Sequence, residues 1–169
     1  MKVIKNGVEE EIMANKYGNT KVIVDGHKFD SIAESKYYKQ LKWLLASKQI
    51  KNFKLQPRYL LQEAFKKNGV TFRKIEYVAD FEVHRLDGVI EVIDIKGAPP
   101  TTEFKLKHKL FEKLYLQSLT VLFYKPEYGG FITWERLKEI EKKVRPSAKK
   151  KPRVGSPVSK RGRKRRLSL

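Results

Sequence analysis

Val89-Ile-Glu-Val-Ile-Asp-Ile-Lys96 is entered through Asp87-Gly88 and left through Gly97-Ala-Pro-Pro100. Apolar side chains at neighbouring as well as alternate positions mark a strand buried on both faces, and the flanking Gly and Pro residues bound it. Side chains alternate across a strand, so Asp94 and Lys96 share one face while Ile93 and Ile95 take the other. A charge inside a sheet is costly unless it is paired or bound to a metal. Packing alone does not account for these two.

Upstream, Ile75, Tyr77, Ala79, Phe81 and Val83 alternate with Glu76, Asp80 and Glu82, a second strand that Asp87-Gly88 folds back antiparallel. A two-residue turn pairs positions whose numbers sum to about 175, which sets Asp80 opposite Ile95 and Lys96. Phe53, Leu55, Tyr59 and Leu61 alternate with Lys54, Gln56, Arg58 and Gln62, one half-buried strand in which Pro57 signals an edge or a bulge. Asn68-Gly69 supplies a hairpin turn between these strands.

Further out, Lys21 to Phe29 predicts two short strands around Asp25-Gly26, and Ser31 to Ala46 a helix with Ala33, Tyr37, Leu41 and Leu44 on one face. Beyond Pro100, Thr102 is expected to cap a helix over Glu103 to Gln117. Leu119 to Tyr124 then gives a buried strand and Thr133 to Val144 an amphipathic helix. The order is helix, three antiparallel strands, helix, strand, helix. That is a mixed α/β domain, with one mixed sheet covered by flanking helices.

The chain has 169 residues, enough for one domain with an appendage. Its 38 Lys and Arg against 19 Asp and Glu give a formal charge of +19, which predicts a polyanionic partner. Arg145 to Leu169 holds 11 of those cations and no acid, so residues 145–169 are expected to be a disordered basic arm. Residues 1–15 form a weakly patterned lead, and 16–144 the packed domain. With no cysteine, disulfide scaffolds, thiol nucleophiles and thiolate zinc sites are excluded. His27, His84 and His108 lack metal-ligand spacing and are expected as solvated surface side chains. No segment has the length of a signal-peptide core or a membrane span, so the expectation is a soluble cytoplasmic protein with no membrane partner.

Two carboxylates and an ammonium converging on one spot from neighbouring strands suit metal-dependent phosphodiester hydrolysis. Carboxylate oxygens hold Mg²⁺, for which Mn²⁺ substitutes, and a lysine orients water or neutralises charge in the transition state. On these residues the chain resembles the PD-(D/E)xK nucleases: Asp80 matches the first acidic position and Asp94-Ile95-Lys96 the (D/E)xK, with Ala79 where the motif has Pro. Asn15-Lys-Tyr-Gly-Asn19, Asp25-Gly-His-Lys-Phe-Asp-Ser31, Leu55-Gln-Pro57 and Tyr77-Val-Ala-Asp-Phe81 look like small phage-encoded endonucleases, a family that includes Holliday-junction resolvases. The resemblance covers about Asn15 to Tyr124.

The resemblance implies a restriction-endonuclease-like core, catalytic Asp80, Asp94 and Lys96, and a metal held at Asp80, Asp94 and Ile95. Members often carry a further glutamate on the first helix, which Glu34 matches. Ser31-Ile-Ala-Glu34 is equally a capping box, and the two readings stand level. Gln56 and the basic ridge of Lys105 and Lys109 are expected against DNA, joined by Lys160, Arg161, Arg163, Lys164, Arg165 and Arg166 of the arm. The expected substrate is DNA, branched as in a four-way junction. Paired incisions there imply a homodimer, and the setting implied is the bacterial host of a phage or prophage. The competing readings are a non-catalytic nucleic-acid-binding accessory protein on a nuclease-like fold and a sequence-specific nuclease of restriction type.

Overall fold

The computed structural model describes residues 20–144, together with the backbone of two strands before them. In chain order the elements are β1 (Lys2–Lys5), β2 (Val8–Ala14), β3 (Thr20–Val24), β4 (His27–Phe29), α1 (Ile32–Ala46), β5 (Ile50–Leu55), β6 (Arg58–Gln62), β7 (Phe65–Lys67) and β8 (Val70–Phe72). They continue with β9 (Ile75–Val78), β10 (Phe81–Arg85), β11 (Ile90–Lys96), α2 (Thr102–Leu114), β12 (Leu119–Lys125), a 3-10 turn at Pro126–Tyr128, β13 (Gly130–Thr133) and α3 (Trp134–Val144). Among the described residues no helix is long and apolar enough to cross a membrane.

The protein is mixed α/β, built on a five-stranded sheet in the order β13-β12-β11-β10-β5. β11 lies at its centre, antiparallel to β10 and parallel to β12, as its apolar faces predict. The expectation of a single sheet is corrected. β1, β2, β3 and β4 form an antiparallel sheet of their own, and β6/β9 and β7/β8 are separate two-stranded ribbons. The lead expected to be weakly structured contains β1 and β2, because β3 offers an open edge whose main chain β2 pairs, from Glu10 against Val24 to Ala14 against Thr20.

Two strands read as continuous are each broken in the structure. Gln56 has φ of +48° and Pro57 cannot donate to a ladder, so β5 ends at Leu55 and β6 begins at Arg58. The facing chain breaks at the same level, between Val78 and Phe81. Gln56 N–H donates to Asp80 O at 3.0 Å and Ala79 N–H to Pro57 O at 3.1 Å, which joins the two breaks. The ribbon thereby changes sides. Leu55, Phe53, Phe81 and Val83 pack with Val22, Tyr38 and Leu41 under α1, whereas Tyr59, Leu61, Tyr77 and Ala79 pack with Phe104 and Phe111 under α2.

The turn between β10 and β11 is also corrected. Leu86-Asp87-Gly88 makes a three-residue loop, with Gly88 at φ +85°, Gly88 N–H bonded to Arg85 O at 3.2 Å and Arg85 N–H to Val89 O at 2.9 Å. Phe81 therefore faces Ile93 and His84 faces Ile90, one residue from the expected register. This slip of one residue sets Asp80 beside Asp94, with its carboxylate on the Ile95 amide. α2 starts one residue earlier than expected, because Thr101 and not Thr102 caps it by accepting from Phe104 N–H at 3.2 Å.

Phe111 is fully buried and meets the rings of Tyr59 and Tyr115 at 4.9 Å each. Phe111→Ala should cost about 3–5 kcal/mol in chemical denaturation, since the cavity it leaves is walled by rings that cannot collapse into it. Leu116→Ala, at a fully exposed side chain, should stay within about 0.5 kcal/mol of the native protein.

Candidate active site

β11 carries Asp94 and Lys96 on the face turned towards α2. Asp94 is 2 % exposed, and Tyr77 O–H donates to its Oδ1. Lys96 Nζ lies 2.6 Å from Asp94 Oδ2, and that oxygen has no well-directed hydrogen bond from any described residue. Lys96 is held from its other side by the ring of Phe104, 4.8 Å from Nζ, at the start of α2. A buried carboxylate oxygen facing a cation, with lone pairs still open, is a place for a further electropositive partner.

Asp80 sits in the break between β9 and β10. Ile95 N–H donates to its Oδ2 at 2.6 Å, so the main chain of β11 ties the two aspartates together. Burial raises the pKa of Asp80, and the negative charges of Asp94 and then Glu34 raise it further, against the smaller opposing effects of the Ile95 amide and Lys96. Burial likewise raises Tyr77, with Asp94 adding to it. Glu34 is raised by burial first, despite the bonds that lower it, and also senses Asp94. These shifts place Glu34, Asp80, Asp94 and Lys96 in one electrostatic neighbourhood.

Glu34 caps α1. Its Oε1 accepts from Ser31 Oγ at 2.7 Å, its Oε2 from Asp30 N–H at 3.0 Å, and its own N–H donates to Ser31 Oγ at 3.1 Å. The carboxylate nonetheless borders a pocket of about 200 Å³ shared with Gln56, Asp80, His27 and Lys28. Gln56 reaches this pocket from the strand break and not from a regular strand face. Lys96 borders a second pocket of about 480 Å³, formed with Gly97-Ala-Pro-Pro100, Thr101 and Phe104. Asp80 borders the first pocket and Lys96 the second, and the aspartate pair lies between them.

Lys105 and Lys109 are exposed on α2 and border neither pocket. Lys160, Arg161, Arg163, Lys164, Arg165 and Arg166 lie outside the described residues, as does Asn15 to Asn19. Glu82, a polar alternate position of β10, is buried. It accepts from Tyr59 O–H at 2.6 Å and Lys54 Nζ at 2.8 Å, with His84 Nε2 at 2.7 Å. Burial alone would raise its pKa, but these partners hold it down at about 2. His84 and His108 are correspondingly half-buried and bonded, not solvated.

Tyr77 and Lys28 were missed by the sequence reading. An unbroken strand would put Tyr77 on the face opposite Asp80, and only the break lets its phenol reach Asp94. Among the described residues no three His, Asp or Glu side chains are gathered into a ready ligand cage. The donors present are Asp80, the open Oδ2 of Asp94 and the main chain at Ile95, an all-oxygen set that fits a hard cation better than a soft one.

The raised pKa of Asp80 has a defined stability consequence. The folded protein keeps that proton to higher pH than the unfolded chain, whose value is near 3.8, so native stability falls as pH rises from there towards the folded value. Asp80→Asn keeps the acceptor for Ile95 N–H but removes the charge. Its melting temperature should match the native protein at pH 3 to 4 and exceed it by several degrees at pH 8, measured by thermal unfolding across that range.

No curated protein and no solved structure matches the chain. A family described as Protein of unknown function (DUF1064) matches residues 14–129, which take in the ribbon crossing, both aspartates, Lys96 and the helices α1 and α2. Covering more than half of the sequence, this match makes the chain a member of the DUF1064 family.

Proposed function

We propose that this protein is a divalent-metal-dependent DNA endonuclease acting on branched DNA. The observation that carries the reading is the convergence of Asp80, Asp94 and Lys96: a buried Asp94, a half-buried Asp80 bonded to the next main-chain amide at Ile95, and an ammonium 2.6 Å from Asp94. Repulsion between the aspartates is an energetic cost that a bound cation would relieve. The element order gives further support. Helix α1, the antiparallel run β5-β10-β11, helix α2 and the parallel strand β12 follow the order implied by the resemblance to PD-(D/E)xK nucleases.

Asp80, Asp94 and the Ile95 main chain would hold Mg²⁺, which supplies polarisation of a phosphate oxygen and a lower pKa for a bound water. Lys96, 31 % exposed and bordering a pocket, is free to neutralise charge on the phosphate once a cation takes over its partner Asp94. Tyr77 fixes the Asp94 carboxylate by donating to the oxygen that Lys96 does not touch. The formal charge of +19 holds the polyanion. Symmetric cutting of a four-way junction calls for two copies of the chain.

A second reading, a non-catalytic DNA-binding protein, is favoured by one observation: both oxygens of Glu34 are already committed to the helix cap. Metal dependence separates the two. Labelled linear duplex, flap and four-way junction should be cut in Mg²⁺ or Mn²⁺ and left intact with a chelator. Asp94→Asn should lower cutting by at least about 100-fold while leaving DNA affinity equal or higher, because it removes negative charge and no basic contact. Binding without cutting in either metal would decide for the second reading.

A further inference from the structure

The β7–β8 hairpin is built unlike the rest of the chain. It pairs with no other strand, and all six of its strand residues are exposed. Its turn is Asn68-Gly69, with φ of +50° and +76°, the mirror-type turn that suits a tight hairpin. Phe65 and Phe72 face each other in register, their rings stacked 4.6 Å apart and 9° from parallel, and both are 43 % exposed. An isolated two-stranded hairpin is marginal in water, so this stack and this turn maintain a projection that no core supports.

Its charge is as one-sided as its exposure. Between Glu63 and Lys74 the cations are Lys66, Lys67, Arg73 and Lys74, and Glu63 is the lone acid. Lys74 pairs with Glu76 at 2.8 Å, whereas among the described residues no carboxylate pairs with Lys66, Lys67 or Arg73. The hairpin is also continuous with the candidate site. β6 leaves from Gln56-Pro57 and β9 runs into Ala79-Asp80, so one ribbon ends in Asp80 at one side and in the stacked phenylalanines at the other. Asp80 follows Phe72 by eight positions, a reach of at most about 26 Å. At about 3.4 Å per base pair that spans roughly seven or eight base pairs.

We infer that the β7–β8 hairpin is a DNA-contacting finger. Lys66, Lys67 and Arg73 take phosphates, and the Phe65–Phe72 stack packs against bases or sugars of the duplex arm that leads away from the cleaved bond. Ribbons of this width enter a groove, and exposed aromatic rings add contacts that tolerate any sequence. A second copy of the chain is disfavoured as the occupant, because two such cationic hairpins repel. The inference rests on the endonuclease reading only for where along the duplex the hairpin lands.

Two variants test it on the full chain, Phe65→Ser with Phe72→Ser, and Lys66→Glu with Lys67→Glu. Neither replaces a buried residue, so global melting should be unchanged, and the charge pair, which keeps the ring stack, separates lost contact from a loosened hairpin. Anisotropy of labelled duplex and four-way junction, with chelator present, should show about 10-fold weaker binding for the aromatic pair. The charge pair should weaken binding further and flatten the slope of log affinity against log salt by about 2. Unchanged affinity and slope in both variants would overturn the finger, as would a loss confined to vesicles of anionic lipid or to self-association on sizing. The endonuclease reading is scored separately, by cutting in Mg²⁺. A chain that binds through the hairpin and never cuts keeps the finger and loses the nuclease, whereas variants that bind and cut like the native protein lose the finger alone.

Discussion

Two main-chain hydrogen bonds, Gln56 N–H to Asp80 O and Ala79 N–H to Pro57 O, clamp the place where a two-stranded ribbon leaves one core and enters the other. On one side of the clamp β5 and β10 belong to the five-stranded sheet and bury their apolar faces under α1. On the other side β6 and β9 pair only with each other and bury theirs under α2. The main chain at such a crossing cannot keep a regular ladder, so its polar groups must find partners across the break. Asp80 sits in that break, with its carbonyl bonded to Gln56 and its carboxylate to Ile95.

The electrostatics follow from this position. Asp94 would be an ordinary central-strand misfit if Asp80 were regular and remote, but the crossing sets a second carboxylate beside it. Neither is solvated well enough to ignore the other. The surrounding chain supplies partial compensation: Tyr77 donates to Asp94, Lys96 pairs with it, and Phe104 holds the amine in place. Glu82 on β10, two residues after Asp80, shows what full compensation looks like, with Lys54, Tyr59 and His84 all bonded to its carboxylate. Glu82 is held by three partners, whereas Asp94 has Tyr77 on one oxygen, Lys96 on the other and the charge of Asp80 beside it.

The same ribbon couples the site to the surface. Its inner end carries Asp80 and its outer end the cationic hairpin with the stacked phenylalanines, so any molecule gripped by the hairpin has a fixed relation to the aspartates. On the proposed reading a nucleic acid would engage both ends, its phosphates answering the cations and its bases the rings. Lys105 and Lys109, which the sequence offered as the basic ridge, are exposed on α2 and border neither pocket.

The order of the three helices among the central strands, the central position of β11, the shared face of Asp94 and Lys96 and the helix beginning at Ser31 were legible in the sequence, because each rests on local periodicity or a local turn signal, whereas β1, β2 and β13 were not. Pro57 signalled an irregularity without its consequence. Nothing local in Tyr77-Val-Ala-Asp80 announces that the chain changes core there, since alternation continues unbroken through Phe81 while the partner layer switches. The register of β10 against β11 depended on whether Leu86 joined the turn, a choice of one residue that alternation cannot make and that side-chain packing on both faces does. Tyr77 meeting Asp94, Glu82 becoming buried and Glu34 facing both its cap and the aspartates are products of those two tertiary events. The sequence by itself determined which residue types were available and along which strands. Only the packing of two cores on opposite sides of one sheet decided which of them meet, because contact between distant segments is set by burial and not by spacing.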